Sequence, residues 1–410
     1  MNDSSSEPID AHAAPALAVP RHLILFIGAL VALGALSLDT YLPAMPVMAQ
    51  AFGVNIVQLN NTISVYLVGY GLGQFFGGAF SDQIGRKRIG LIGLSIFTAA
   101  CIAISFAHTV EQVEWLRFLQ AIGGGFSTVI CMAIVRDVYP ISELGRRMAM
   151  VMLVMLASPV IAPTIGALLL RLGWQSIFVF KAVYASSLGL YYLTSVPETR
   201  PGRWRNLSPV TLLKQCGHVI ARKVDGRRLP MLYAFAMALG AATFMTFLTN
   251  SSFAYIEYFG VSESWFPVYF ALSIVGLIGT NTFSMKRLNS SNAPRFFRLG
   301  LHVQAAAVAV LVIVVLSGAP SIWLVVAPVM FVVASLGLVG PSGSSQYMSH
   351  FSQLAGSASS MYTTLLFSLG ALFGAVSGLF FDGTLKPMAL TMLTTTTVAN
   401  LIATRIYAKG

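Results

Sequence analysis

The chain contains few charged residues for its length. Only 10% of its 410 residues are Asp, Glu, Lys or Arg, whereas 56% are hydrophobic. Soluble domains carry about 25% charged residues. A chain this apolar cannot hide its hydrophobic surface in a water-soluble core, so it needs lipid as its solvent. The composition therefore predicts an integral membrane protein and excludes a soluble globular domain.

Cysteine and histidine are also scarce. The three cysteines, Cys101, Cys131 and Cys216, follow no metal-binding or redox spacing, and Cys216 falls in a basic loop. The six histidines are scattered and form no i, i+4 ligand pair. Without a metal cluster or a paired nucleophile and base, the sequence predicts neither an enzyme nor a protein with a cofactor.

The formal net charge of +11 does not indicate nucleic-acid binding. The cations occupy short links between apolar runs instead of one basic face. With the N-terminus inside, 21 of the 25 Lys and Arg residues lie in inner links and tails. By the positive-inside rule, this asymmetry predicts a multi-pass membrane protein with both termini in the cytoplasm.

Twelve apolar runs are long enough to cross a hydrocarbon core, which takes about 20 helical residues. The last run is the least apolar because Thr394 to Thr397 and Asn400 dilute it. The first run is not a cleavable signal peptide, since Asp39 to Pro43 stand where a small-residue cleavage site would be. The runs cover 23–41, 63–80, 89–107, 113–135, 148–170, 176–196, 229–253, 265–285, 297–316, 322–339, 361–380 and 388–406.

This pattern predicts an all-α membrane protein with twelve transmembrane helices in two pseudo-symmetric bundles. Residues 22–196 form the N-terminal six-helix bundle and residues 229–407 the C-terminal one. Residues 1–21 are expected to be a disordered cytoplasmic tail, and residues 197–228 a basic cytoplasmic linker. Two equal halves joined in this way are typical of transporters that rock about a site at the bilayer midplane.

Glycines recur at i, i+4 and i+8 once in each half. This spacing leaves a flat helix face where another backbone can approach closely. We expect a sliding contact between the halves at both faces, with helix packing inside one half as the alternative. The glycines are Gly69, Gly73 and Gly77 in span two and Gly370, Gly374 and Gly378 in span eleven.

Asp39 is the leading functional candidate, because ionisable residues inside a bilayer are costly. Pro43 cannot donate to the carbonyl of Asp39, so the helix is loosened at this carboxylate. Removal from water favours the neutral form of a carboxylate, which is the property that a proton carrier needs. The alternative is an interfacial acid in contact with periplasmic water.

Arg117 is the second candidate, at a depth similar to that of Asp39. We expect it to line the central cavity and to hold a nearby carboxylate ionised until substrate or proton intervenes. Snorkelling to the outer surface, toward Glu111 or Glu114, is the alternative. For Lys181 in span six, snorkelling is the preferred interpretation because of its longer reach.

A conformational switch is predicted at the turn after span two. Asp82 and Arg86 flank the turn-permitting Gly85, and Arg86 can pair with Asp137 at the inner end of span four. Such pairs would hold the outward-open state and break as the halves rock, unless they form only a solvated surface cluster. Pro159 and Pro163 add hinges in span five because each removes a backbone donor.

Polar and aromatic side chains on the spans are candidates for a substrate cavity, although such residues more often serve packing. These candidates are Tyr66, Tyr70, Gln120, Asn250 and Phe253.

Several motifs resemble those of the major facilitator superfamily, and within it drug:proton antiporters of the Bcr/CflA type. The resemblance covers the N-terminal half well, whereas hydropathy and the Gly370 triplet support the C-terminal half. Gly78-x-Phe80-x-Asp82-x-x-Gly85-Arg86-Lys87 resembles the loop signature between spans two and three. Arg117-Phe118-Leu119-Gln120 with Gly123-Gly124 is similar to the span-four arginine motif. Ala162-Pro163-Thr164-Ile165-Gly166 resembles the antiporter motif, Ser37 to Pro46 the opening of these carriers, and Val196-Pro197-Glu198-Thr199-Arg200 their sixth-span ending.

The resemblance implies that Asp39 and Arg117 take part in proton coupling, and that Pro163 and Gly166 suit an exporter. Ala121, Ala162 and Ala167 replace glycines usual in these motifs, so those helix contacts are expected to be looser. Val31 stands where some related carriers have a second acid. A single acid indicates fewer coupled protons and suits neutral or anionic substrates better than dications.

We therefore predict a monomeric antiporter of the bacterial inner membrane that exports phenicol-like or bicyclomycin-like amphipathic small molecules. The proton gradient is its energy source, and its partners are the substrate, protons and membrane lipids. The alternative is a proton-coupled exporter or importer of a metabolite such as an amino acid or a siderophore.

Overall fold

The computed structural model describes residues 20, 22–199, 209–224, 226–289, 291–318, 320–351 and 355–407. Apart from Pro20, the predicted N-terminal tail lies outside the described residues. The middle of the predicted linker, 200–208, and residue 225 lie outside them as well.

The N-terminal half folds as a helical bundle. A 3₁₀ turn, Leu42–Ala44, joins its first two helices, so that Leu23–Phe52 crosses as one span. The next span begins with a capping box, in which the Asn55 side chain accepts from Val57 and the Gln58 side chain accepts from Asn55. The helices are α1 (Leu23–Asp39), α2 (Met45–Phe52), α3 (Ile56–Ile84), α4 (Arg86–Ser105), α5 (Val110–Val129), α6 (Cys131–Val138), α7 (Ile141–Leu170) and α8 (Gln175–Ser195).

The C-terminal half follows after a helix in the linker. Cys216 lies on this helix, so the prediction that it lies in a loop was wrong. A π-helical turn, Phe253–Tyr258, extends the first span of this half. The helices are α9 (Pro209–Ala221) in the linker, followed by α10 (Leu229–Ser252), α11 (Phe266–Arg287), α12 (Ala293–Leu316), α13 (Ile322–Met348), α14 (Ala355–Leu379) and α15 (Lys386–Tyr407).

Eleven stretches of the described residues are long and apolar enough to cross a membrane. Helix α15 is less apolar, but its 22 residues extend over about 33 Å at 1.5 Å per residue. Three of its threonines face protein: Thr391, Thr395 and Thr396 are buried, and the Thr395 hydroxyl lies 2.9 Å from that of Thr243 on α10. Helix α15 thus packs into the second bundle through a face that carries part of its threonines, whereas Thr394 and Thr397 are exposed. The predicted all-helical membrane fold is confirmed.

The hydrophobic core is continuous at one end of the molecule and divided at the other. We call the end where α1 begins and α15 ends the basic end, and the opposite end the far end. At the far end one buried cluster includes residues of both halves, such as Leu42 and Ile63 with Phe247 and Phe253. At the basic end each half has a core of its own, formed around Phe26 in one and around Tyr233, Phe297 and Tyr347 in the other. The hydrophobic cores of the two halves are therefore merged at the far end and distinct toward the basic end, although α3 and α14 still touch there.

The predicted glycine seam of span two was wrong. A Cβ at Gly69 would lie 2.7 Å from the carbonyl oxygen of Phe118, and one at Gly73 would lie 2.6 Å from that of Ile122. Both carbonyls belong to α5, so these glycines allow close packing inside the N-terminal half. The spacing shows that a helix face can be approached, but it does not show which helix approaches it.

The contact between the halves on α3 uses other small residues. A Cβ at Gly71 would lie 3.2 Å from Cβ of Phe367 on α14, and one at Gly78 would lie 3.3 Å from the Ser360 hydroxyl. On α14, Gly374 faces both halves, because a Cβ there would lie 3.0 Å from Thr249 and 3.2 Å from Ser64. The α3–α14 contact therefore runs along much of both helices.

Candidate functional site

The end of α1 leaves a main-chain carbonyl without its helical partner. The N–H of Tyr41 donates to the carbonyl of Leu38 at 3.2 Å, one residue nearer than the α-helical acceptor Ser37. Pro43 has no N–H to offer to the carbonyl of Asp39. Carbonyls at a helix C-terminus carry partial negative charge and attract cations.

Two buried cations bind the free carbonyl of Ser37. Nη1 of Arg117 on α5 donates to it at 3.1 Å, and Nζ of Lys181 on α8 donates to it at 2.9 Å. Both side chains are at most 1% exposed. The arrangement brings three separate helices together at one oxygen, so the end of α1 acts as a shared partner for two positive charges.

Two aromatic rings pack against the Arg117 guanidinium. Its Cζ lies 4.6 Å from the ring centroid of Tyr41 and 4.3 Å from that of Tyr66. Such cation–π contacts stabilise a cation away from water. Nη1 also donates to Oε1 of Gln120 at 2.8 Å, whereas Nε and Nη2 are buried and have no hydrogen-bond partner among the described residues. Arg117 is thus held tightly with two donors unused.

Asp39 lies in the same region and is 5% exposed. Lys181 attracts its carboxylate electrostatically. No ion pair within the described residues joins Asp39 to either cation. We call Asp39, Arg117 and Lys181 the charged cluster.

The cluster confirms the interior placement of Arg117 and corrects that of Lys181. Arg117 is fully buried and does not reach Glu111 or Glu114. The expectation that Lys181 snorkels was wrong, because its amine reaches the Ser37 carbonyl inside the bundle. The length of the lysine side chain, on which the expectation rested, does not show that a hydrogen-bond acceptor lies within reach in the interior.

The predicted cavity residues fall into two groups. Tyr66 and Gln120 contact Arg117, whereas Tyr70 stacks on Tyr66 at 6.0 Å and meets Phe367 of the other half at 4.9 Å. The other two predicted residues lie in the C-terminal half, apart from this cluster. Asn250 donates to Ser377 at 2.8 Å, and Phe253 packs on Phe381 at 4.7 Å. Only the first group adjoins the charged cluster.

The predicted switch residues at the basic end contact each other inside one half. Arg86 pairs with Asp82 at 2.7 Å and with Asp137 at 3.3 Å. These pairs are intact although the two cores are separate at this end. All three residues belong to the N-terminal half, so these pairs do not cross between the halves, and their breaking as the halves rock stays a prediction.

Glu198, which follows the sixth span, contacts the turn between α3 and α4, and sequence reasoning did not single it out. Its carboxylate accepts from the N–H of Arg86 at 2.8 Å and from the N–H of Lys87 at 3.0 Å. It thereby caps the N-terminus of α4 from the end of the sixth span. Gly85 ends α3 with a φ of 110°, and a Cβ there would collide with the Glu198 carboxylate. Glu198 could have been found from the motif Val196 to Arg200, which was used only for the family resemblance.

We expect Glu198→Gln to lower the melting temperature of the purified protein. An amide carries no charge to place at the helix N-terminus and presents a single acceptor oxygen to two N–H groups. The loss should be about 1 kcal/mol, measured by thermal unfolding in detergent. Glu263→Gln, at a side chain in the link before α11, is the matched control and should melt like the original chain. If both variants have the same melting temperature, Glu198 does not stabilise the N-terminus of α4.

The predicted hinge residues lie on α7, which runs without a break through Pro159 and Pro163. One turn further on, Gly166 packs directly against the backbone of Thr40, the residue after Asp39. The segment Ala162 to Gly166, which resembles the antiporter motif, therefore packs against the end of α1 beside Asp39 of the charged cluster. The role of these residues in switching stays a prediction.

Comparison with known proteins identifies relatives over most of the chain. The family model of the Major Facilitator Superfamily matches residues 25–375. A bicyclomycin resistance protein homolog of Haemophilus influenzae is 26% identical over 90% of this chain and 92% of its own length. A chloramphenicol resistance protein of Pseudomonas aeruginosa is 28% identical over 89% of this chain and 86% of its own.

Solved structures with the same fold cover nearly all of the chain. A D-xylose–proton symporter superposes with a TM-score of 0.70 over 94% of this chain and 97% of its own, at 13% identity. A POT family transporter in complex with 5-aminolevulinic acid also gives 0.70, over 94% of both chains, at 14% identity. At such identities the likeness describes the fold alone.

Proposed function

Because the chain belongs to the Major Facilitator Superfamily, and is thus a membrane transporter and not an enzyme, we propose that it exports amphipathic small molecules in exchange for protons. The membrane is the bacterial inner membrane, with the basic end in the cytoplasm. The names of the relatives, which are bicyclomycin and chloramphenicol resistance proteins, support neutral antibiotics as substrates.

The observation that carries the proposal is the burial of Asp39 in the charged cluster. It is the only carboxylate among the described side chains that are classed as buried. A carboxylate away from water binds a proton readily, and nearby cations favour its release. Asp39 thus has the surroundings of a group that both binds and gives up a proton.

The divided core supports alternating access. The hydrophobic cores of the halves merge at the far end and are distinct at the basic end, where α3 and α14 remain in contact, and a carrier that opens toward the cytoplasm needs such a division. In the proposed cycle, substrate enters from the basic end as Asp39 releases its proton to the cytoplasm. The halves then rock about the α3–α14 contact, substrate leaves outside, and Asp39 takes up a proton from there.

Transport by the purified protein in liposomes tests the function directly. With an acidic interior, we expect labelled chloramphenicol to accumulate inside against its gradient, since protons leave as the drug enters. A protonophore should abolish this accumulation. A panel that includes bicyclomycin and several amino acids separates drug export from metabolite transport. The proposal is wrong if no neutral drug moves in response to the proton gradient.

A further inference from the structure

The membrane region buries more positive than negative side chains. Of the described side chains that are classed as buried, four are charged: Asp39, Arg86, Arg117 and Lys181. Arg86 lies at the basic end with its own acidic partners, Asp82 and Asp137. The interior therefore holds two cations and one carboxylate, all in the N-terminal half.

The charged cluster is never negative. Arginine stays protonated in proteins, so Arg117 at least balances an ionised Asp39. When Asp39 carries a proton, or when Lys181 is charged, the balance is positive. The other titratable groups beside the cations are neutral donors or thiols in their ordinary forms, namely Tyr41, Tyr66 and Cys101. Glu114 on α5 is only partly buried, nearer the far end.

The cluster acts on the space between the halves through its neighbours. Arg117 stacks on Tyr66, Tyr66 stacks on Tyr70, and Tyr70 meets Phe367 of the C-terminal half. In a medium of low dielectric constant, an unbalanced charge is felt over such distances far more strongly than in water. A second positive charge brought to this contact would find no buried carboxylate available to it.

Unused polar groups lie beside the same contact. Nε and Nη2 of Arg117, the Tyr66 hydroxyl and the Ser64 hydroxyl are buried without a hydrogen-bond partner among the described residues. Buried polar groups without partners are costly, and a bound molecule that pairs with them gains that energy. Guanidinium N–H groups can only donate, so they favour an acceptor such as a carbonyl, nitro or carboxylate oxygen.

From these observations we infer that Lys181, together with Arg117, makes the transporter selective by charge. It accepts uncharged or acid-bearing amphipathic molecules and rejects lipophilic cations. Lys181 is the specificity-determining residue, because it is the second buried basic group beside a single carboxylate and adds a positive charge beyond what Asp39 balances whenever its amine is protonated. This inference rests on the proposed function and adds to it the substrate class.

The test compares a neutral and a cationic probe in the same liposomes. Chloramphenicol and tetraphenylphosphonium are offered to the original chain, to Lys181→Met and to Lys181→Arg under one proton gradient. We expect the original chain to move the cation at a rate about tenfold or more below that of the neutral drug, as one unbalanced charge in a partly buried site implies. Lys181→Met should reduce the ratio of the chloramphenicol rate to the tetraphenylphosphonium rate. Lys181→Arg should preserve this ratio because arginine keeps a positive charge at the position.

Binding to the purified proteins, measured by calorimetry, gives a readout that does not depend on turnover. If Lys181→Met fails to fold, Lys181→Gln replaces it, and the selectivity of the original chain remains decisive. Equal transport of both probes by the original chain overturns the inference while leaving the proposed function intact. An unchanged ratio in a folded Lys181→Met also overturns it. If neither probe binds or moves, the proposed function fails together with the inference.

Discussion

Replacing Asp39 with Asn is expected to abolish the accumulation of chloramphenicol driven by a proton gradient. Asparagine has nearly the same size as aspartate but cannot bind and release a proton, so transport loses its link to the gradient. Exchange of labelled for unlabelled drug at equal pH on both sides should continue, because it needs no net proton transfer. Accumulation should fall to the level of liposomes without protein, which a filtration assay measures.

Asp382→Asn is the matched control for this substitution. Asp382 is exposed in the link between α14 and α15, where its carboxylate accepts from the N–H of Thr384 at 2.9 Å. The hydroxyl of Thr384, which donates to the same carboxylate at 2.6 Å, is the main cause that holds the pKa of Asp382 below its ordinary value, and the N–H adds to it. The same chemical change there should leave accumulation unaltered. Undiminished gradient-driven accumulation by a folded Asp39→Asn variant would contradict the assignment of Asp39 as the proton carrier.

Gly166→Ala is expected to cause the second large loss, in both stability and transport. The three atoms nearest to an added Cβ are the carbonyl oxygen, the carbonyl carbon and the Cα of Thr40. These are main-chain atoms, so no side chain can rotate away and α1 must move relative to α7. Overpacking of this kind costs about 1–3 kcal/mol. The displacement also moves the neighbouring Asp39, so transport should fall with the melting temperature.

Gly279→Ala on α11 provides the comparison, because nothing lies within 4 Å of an added Cβ there. This variant should melt at the original temperature or slightly above it, since alanine favours a helix interior over glycine by about 0.5–1 kcal/mol. A Gly166→Ala variant with unchanged melting temperature and transport would show that α1 and α7 tolerate separation, against the packing argument.

Sequence reasoning located the charged cluster only in part. Asp39 and Arg117 could be found because a charge in an apolar run is costly wherever its partner lies. Lys181 was judged by the length of its side chain alone, and the acceptor that retains it, the carbonyl of Ser37, lies 144 positions away in the chain. A main-chain carbonyl that is left free by a helix end has no signature in the residue type.

The glycine pattern shows the same limit. Gly69 and Gly73 were correctly expected to allow close approach, but the approaching helix is α5 of the same half. Gly71, which has no place in the i, i+4 pattern, makes the contact with α14 instead. Which face of a helix meets which neighbour depends on how both bundles are arranged, and this information is not local.

The sequence by itself determined that this protein lies in lipid, that it is helical, that it has two halves and that its Lys and Arg residues collect at one end. Hydropathy and charge could show this because they act residue by residue. Only the tertiary structure decided the partners: which cations share the carbonyl of Ser37, that Glu198 caps α4, and that the core is joined at one end and divided at the other. These features depend on contacts between segments far apart in the chain, whose relative positions are set by the packing of all the helices together.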